Sequence, residues 1–158
     1  KLAYIGDGNN VCHSLLFAAA KAGTKISVAT PPGYEPKAEI VKQAKEGGKE
    51  TGFSLELGND SGQAALDADV IYTDVWASMG QEQEKEKRAK IFAPFQVNKD
   101  LMARAKKDSV FMHCLPAHRG EEVTDDVLDS SHSIVFDQAE NRLHIQKVIM
   151  LLLMGKKD

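Results

Sequence analysis

Short apolar runs alternate with longer amphipathic stretches along this chain of 158 residues, and that alternation constrains the fold more than any other feature. It is the pattern of strands joined by crossover helices into a mostly parallel sheet. Leu2 to Ile5 reads as a first strand. After a glycine turn, Val11, Leu15, Ala18, Ala19 and Ala22 recur at helical spacing, and Gly23 follows Lys21 as a C-terminal cap. Ile26 to Ala29 gives a second strand, closed by Pro31-Pro32-Gly33. Pro36 sits where a first helical turn tolerates proline, before Ile40, Val41 and Ala44. Phe53, Leu55 and Leu57 alternate with polar residues, which predicts a third strand at an edge or covered on one face. Val70 to Thr73 predicts a strand buried on both faces, and Val110 to Met112 a fifth. Ile134 to Phe136 predicts a short sixth. The expected fold is a single α/β domain over residues 1–158, a three-layer, Rossmann-like sandwich around a mostly parallel sheet of five or six strands.

The helices between the later strands differ in character. Gln81 to Lys90 interleaves glutamates with lysines, the composition of a solvated helix held by weak pairs of about 0.2–0.5 kcal/mol each. A helix is predicted to begin near Asn98, and Thr124-Asp125-Asp126-Val127 reads as an N-cap and first turn. The last helix is predicted over about 139–154. Its apolar end, Val148 to Met154, covers about two turns and points side chains in every direction. One sheet face cannot bury them all, so this helix is expected to pack on a further domain or subunit. Lys1-Leu2-Ala3-Tyr4 starts as a working strand with no preceding turn, so the chain is expected to begin inside a longer protein.

A net charge of -3 carries no footprint for nucleic acid or an anionic membrane. The longest apolar stretch is far below the roughly 20 residues of a membrane span. Cys12 and Cys114 form no disulfide framework, and a free thiol beside a histidine suits a reducing compartment, so the cytoplasm is expected.

Ligands of open α/β sheets bind beyond the carboxyl ends of the strands, and three segments with chemistry in them fall there. Gly6-Asp7-Gly8-Asn9-Asn10 joins the first strand to the first helix. It lacks the third glycine of the dinucleotide fingerprint, whose place Val11 takes, and Thr30 stands where that fingerprint expects an acid, so NAD is not the expected ligand. Asparagines at a helix start can hold a carboxylate, and Asn10 is the better candidate of the pair. Asp74, with Ser78, Met79 and the flexible Gly80, follows the fourth strand; the bland alternative is an N-cap and turn, but a carboxylate there would attract an ammonium group. His113-Cys114-Leu115-Pro116 follows the fifth. A buried cysteine is usually a small hydrophobe, and Cys12 is read that way. A zinc site from His113, Cys114, His118, Cys12 and His13 was weighed. Adjacent strand residues face opposite ways and no metal-binding spacing occurs, so no metal is expected. His132 and His144 read as surface residues.

Taken together, Gly6-Asp7-Gly8-Asn9-Asn10, Asp74 with Ser78-Met79-Gly80-Gln81-Glu82, His113-Cys114-Leu115-Pro116 and Ala139-Glu140-Asn141-Arg142 resemble the second half of the ornithine carbamoyltransferases, over nearly the whole chain. The resemblance implies an ornithine-binding domain of an enzyme that moves the carbamoyl group of carbamoyl phosphate to the δ-amine of L-ornithine, without a cofactor. It implies that Asn10 and the Met79 backbone hold the ornithine carboxylate, and Asp74 and Ser78 its α-amino group. Cys114 is implied as the proton acceptor at the reacting amine, as a thiolate set up by cationic neighbours. The Leu115 carbonyl and Arg142 would position carbamoyl phosphate, with a cis Leu115–Pro116 bond and with His113 and Pro116 in support. The family is trimeric. Its first half, with a Ser-Thr-Arg-Thr phosphate loop and a His-Pro-x-Gln segment, has no counterpart here, so the chain alone is expected to be inactive. The alternatives are an amino-acid-binding module without chemistry and transfer to a related amine such as putrescine or an acylated ornithine.

Overall fold

The computed structural model describes residues 1–77, 80 and 82–155. Its strands are β1 (Leu2–Ile5), β2 (Lys25–Ala29), β3 (Ser54–Gly58), β4 (Val70–Thr73) and β5 (Val110–His113). Its helices are α1 (Asn10–Ala22), α2 (Ala38–Gly47), α3 (Ser61–Ala65), α4 (Lys85–Phe92), α5 (Lys99–Met102), α6 (Asp125–Leu128) and α7 (Val135–Met154). The five strands form one parallel sheet in the order β3-β2-β1-β4-β5. The chain therefore builds outward from β1 on one side, then returns to the other side of β1 to start β4. That reversal opens a crevice between the carboxyl ends of β1 and β4, the switch point where ligands of such sheets bind.

Because side chains alternate across a strand, β1 feeds two cores. Ala3 and Ile5 join Ala64, Ile71, Phe111 and Val127 on one face. Tyr4 joins Cys12, Leu16, Ile26, Val28 and Ala44 on the other. The result is the expected three-layer sandwich. β3 lies at the edge and is mostly exposed, as its alternating pattern predicts. α3 was not anticipated: at five residues with a glycine inside it shows no periodicity, and the Asp60 side chain that accepts Gln63 N–H is its local signal.

Three local expectations change. Val135 and Phe136 form the start of α7 rather than a sixth strand. The chain touches β5 only through the Phe111–Ser133 bridge, with Phe111 N–H donating to the His132 carbonyl and Ile134 N–H to the Phe111 carbonyl. β-branched residues suit a strand, but one bridge is too little ladder to hold one, and Val135 is buried by the helix instead. The final helix thus begins at Val135, ahead of the predicted 139. Finally, the charged segment is a 3-10 turn (Glu82–Glu84) followed by α4, and α4 is not wholly solvated, because Arg88 and Phe92 are buried.

α1 is anchored at both ends. The Asn9 side-chain oxygen accepts the Val11 and Cys12 N–H groups, and Gly23 takes a left-handed φ of 68° to end the helix. Gly8 has a steric reason: a Cβ there would lie 2.5 Å from the Tyr34 carbonyl oxygen and 2.3 Å from Pro36 N.

Candidate active site

The carboxyl ends of β1, β4 and β5 bring together side chains far apart in sequence. Asp74, just past β4, is buried. One of its oxygens accepts a hydrogen bond from Asn9 Nδ2 at 2.8 Å, the other from the Cys114 thiol at 3.1 Å. Among the described residues no cationic side chain pairs with it. A buried carboxylate served only by neutral donors is costly in isolation and attracts a cation from outside. The bland reading of Asp74 as a helix cap does not hold, since α4 begins eleven residues later at Lys85.

The two asparagines divide the work. Asn9 is structural, capping α1 and donating to Asp74, with Tyr4 Oη also donating to its side-chain oxygen at 3.3 Å. Asn10 is exposed and lines a depression of about 640 Å³ with Asp74, Leu115, Pro116, His118 and Glu121. Cys114 lines a second depression, of about 570 Å³, with Gln138, Asn141 and Arg142. The two meet at the Asp74–Cys114 hydrogen bond. Arg142 is exposed on α7 and makes no hydrogen bond or ion pair among the described residues. Ser78 and Met79 lie outside the described residues.

The electrostatics of Cys114 differ from expectation. Burial first, then the hydrogen bond to Asp74 and its charge, push the thiol up to about 12. The hydrogen-bond partner of the sulfur is a carboxylate, not a cation, and both it and burial favour the protonated thiol. Cys12, buried in the α1 core, is likewise pushed up to about 12 by burial, as suits a packing residue.

The corner after β5 is held by His113, which is fully buried. Its Nδ1 accepts the Leu115 N–H at 2.9 Å, so the proton sits on Nε2, 3.2 Å from Glu122 Oε1. Leu115 has φ of 54°, a left-handed conformation that costs a branched residue about 1–3 kcal/mol, and the His113 acceptor helps to hold it there. The Leu115–Pro116 peptide is cis. Gln138 was not anticipated. Its Oε1 accepts the His113 N–H and its Nε2 donates to Tyr72 Oη, seating the start of α7 against the β5 edge. A lone glutamine in the first turn of a helix carries no signal of that role in sequence.

Arg88 was also missed, hidden among exposed lysines and glutamates. Its Nη1 donates to Asp7 at 2.7 Å and to the Trp76 carbonyl at 2.9 Å, its Nε donates to Glu84 at 3.1 Å, and its guanidinium carbon lies 4.9 Å from the Tyr34 ring centroid. Burial raises the Asp7 carboxyl, against the opposing pull of Arg88. Arg88 thereby ties the β1 turn to both flanks of the segment that carries Ser78 and Met79. Of the other histidines, His13 accepts the Lys37 N–H, while His132 and His144 are exposed. Among the described residues, no helix is long and apolar enough to cross a membrane.

Residues 1–153 match the family described as "Aspartate/ornithine carbamoyltransferase, Asp/Orn binding domain". The ornithine carbamoyltransferase of Thermococcus kodakarensis is 64% identical over 155 residues, which are 98% of this chain and 49% of that protein. The solved ornithine carbamoyltransferase of Pyrococcus furiosus superposes with a TM-score of 0.94 at 62% identity, over 99% of this chain and 50% of that one. The anabolic ornithine carbamoyltransferase of Campylobacter jejuni gives 0.94 at 40% identity, over 99% of this chain and 52% of that one. The chain spans about half the length of the curated relatives it matches.

Proposed function

The chain belongs to the aspartate/ornithine carbamoyltransferase family through its amino-acid-binding domain, and on that premise we propose that it is the ornithine-binding domain of an enzyme that makes L-citrulline and phosphate from L-ornithine and carbamoyl phosphate. The observation that carries this reading is Asp74: a buried carboxylate with neutral donors on both oxygens, at a switch-point crevice that Asn10 also lines. An α-ammonium group supplies the cation this carboxylate lacks, in a charge-assisted hydrogen bond. The Asn10 amide suits the neighbouring α-carboxylate. Ser78 and the Met79 backbone complete the amino-acid site.

In the reaction the δ-nitrogen lone pair attacks the carbonyl carbon of carbamoyl phosphate, and the carbon–oxygen bond to phosphate breaks, the pair leaving with phosphate. The nitrogen must shed a proton. Cys114 is the acceptor in this reading, and its raised pKa implies an order of events. Burial is the first cause of that rise and the Asp74 hydrogen bond and charge come after it, so an ammonium bound at Asp74 offsets the lesser part and moves Cys114 some way toward a base. Arg142 and the Leu115 carbonyl hold carbamoyl phosphate, the guanidinium offsetting charge that develops on oxygen. His113 and Pro116 keep the Leu115 corner in shape.

The phosphate clamp belongs to an N-terminal domain outside this chain, and α7 packs on that domain. From Leu143 to Met154 the large apolar side chains of α7 are 47–82% exposed, and burying each contributes about 1.5–3 kcal/mol. The full-length enzyme is a homo-oligomer, a trimer as in the family, working in a reducing cytoplasm where Cys12 and Cys114 stay as thiols.

The test is turnover by the full-length enzyme and by this chain alone. Citrulline should form only with the full-length enzyme, and ornithine binding measured by calorimetry should strengthen when carbamoyl phosphate is present. Ornithine binding without citrulline formation by the full-length protein would leave an amino-acid-binding module. Faster turnover of putrescine or an acylated ornithine would change the substrate.

A further inference from the structure

His118 and Glu121 line the 640 Å³ depression that Asp74 also lines, and together with the buried Glu122 they form a group of side chains that the carbamoyl-transfer reading does not use. His118, Glu121 and Glu122 each offer one ligand atom, and these atoms lie within 4.8 Å of one another. Glu122 is fully buried. Its Oε1 accepts the His118 N–H at 2.6 Å, but its Oε2 has no hydrogen-bond partner. A buried carboxylate oxygen without a partner carries a desolvation cost of about 1–3 kcal/mol or more, so such an oxygen calls for an explanation.

The surroundings of that oxygen supply one. His118 Nδ1 lies 3.8 Å from Glu122 Oε2 and 3.9 Å from Glu121 Oε2. Those gaps are too wide for hydrogen bonds. A cation that bonds nitrogen and oxygen donors at about 2.0–2.2 Å holds neighbouring donors about 3.4 Å apart in a tetrahedron, so the two spacings at His118 Nδ1 need to close by about half an ångström, and no pair in the set, all within 4.8 Å, by more than about 1.4 Å. His118 and Glu121 are partly exposed and can move by that amount, whereas Glu122 is held from behind by the His118 N–H, with His113 Nε2 3.2 Å from its Oε1. Lys85 already engages Glu121 through Oε1 at 2.8 Å and leaves Oε2 to face His118.

We propose that His118, Glu121 and Glu122 form a binding site for a divalent first-row transition metal ion, with the coordination completed by water from the depression. One imidazole nitrogen and two carboxylate oxygens suit ions of borderline softness such as zinc, cobalt or manganese. The site is separate from the Cys114 thiol, which hydrogen-bonds to Asp74 and lines the other depression. The sequence reading offered His118 as a zinc ligand only beside cysteines and other histidines, and it did not count the carboxylates.

The experiment titrates metal-free, full-length enzyme with Co²⁺ and reads the visible absorption. The wild type should bind one Co²⁺ per chain, showing d–d bands without the near-ultraviolet charge-transfer band of a cobalt–thiolate bond. His118→Ala and Glu122→Gln should each weaken binding at least about tenfold, and Cys114→Ser should leave it unchanged. Should Glu122→Gln fail to fold, the partly exposed His118 still decides the matter. No binding by the wild type, equal binding by His118→Ala, or a charge-transfer band that disappears in Cys114→Ser would overturn the proposal. None of these readouts depends on catalysis, so they stand apart from the reaction assigned above.

Discussion

At the crest of the sheet, Asp74 is bonded to Asn9 and Cys114, its partners 65 and 40 residues away in the chain; along α7, Arg142 projects without a partner among the described residues and the apolar side chains beyond it stand in solvent. Both regions belong to the same proposed site, yet one is finished and the other is half a surface. The crest is pre-organised because β1, β4 and β5 fix its spacing before any ligand arrives. The helix leans on the sheet only at its start, through Val135 and the two hydrogen bonds of Gln138. Its remaining turns leave large apolar side chains exposed, and in the proposed enzyme they pack on a partner. In the proposed enzyme, orientation of the amino acid would therefore be a property of this domain, and orientation of the carbamoyl donor a property of the assembly.

The sharpest way to break that contrast is at Arg88, which should matter as much in the isolated domain as in the full-length enzyme. Arg88→Met leaves Asp7 buried and unpaired, so it should lower stability by about 3–5 kcal/mol, read from denaturant midpoints. It should also raise KM for ornithine more than for carbamoyl phosphate; an equal rise would show that Arg88 does not position the Ser78–Met79 segment. Next comes Asp74→Asn in the full-length enzyme, expected to lower kcat/KM for ornithine by roughly 10²–10³-fold through loss of a buried charge partner. Cys114→Ala should lower kcat by about 10²-fold while KM for ornithine moves little. An unaltered pH–rate profile in that variant would assign the base elsewhere.

The helix side of the contrast gives a smaller effect with a clear direction. Leu152→Asp should leave the stability of the isolated domain within about 0.5 kcal/mol, since that side chain is exposed there, but lower it by about 1.5–3 kcal/mol in the full-length protein, where its burial is lost. Equal effects in the two would mean that α7 packs on nothing. The effect confined to the most alkaline conditions is the pH dependence of stability. Both thiols ionise at about 12 in the folded chain against an ordinary value of 9.0. The unfolded chain therefore releases these protons first, so their contribution is whole below about pH 9 and is lost as pH rises toward about 12. Urea midpoints measured across that window should fall less steeply in Cys114→Ala than in the wild type, and an unchanged slope would mean that the thiol is not held protonated.

Much of the fold was legible because burial on a parallel sheet imposes a local pattern. Tyr4 and Ile5 face opposite cores as neighbours on a strand do, and the helical spacing of the apolar residues marks α1, although its buried side is Cys12, Leu16, Ala19 and Ala20 and the predicted Ala18 and Ala22 are exposed. The candidate site was legible in part for the same reason: strand ends that face a crevice can be found once the strands are found. What could not be read were the partnerships. Arg88 looks like its exposed neighbours Lys87 and Lys90 until the fold places it 2.7 Å from Asp7, 81 residues away. Ile134, Val135 and Phe136 have the propensity of a strand, and only the single bridge to β5 decides that they open a helix.

By itself the sequence determined the alternation of strands with helices, the parallel sheet this implies, and which polar residues follow the strand ends, since each follows from side-chain periodicity and turn chemistry within a few neighbouring residues. Only the tertiary structure decided that Asn9 caps while Asn10 faces the ligand depression, that Cys114 keeps its proton, and that Glu122 holds an unpartnered oxygen toward His118. Those properties depend on desolvation and on hydrogen-bond partners brought together by folding, and neither exists until the chain has closed around them.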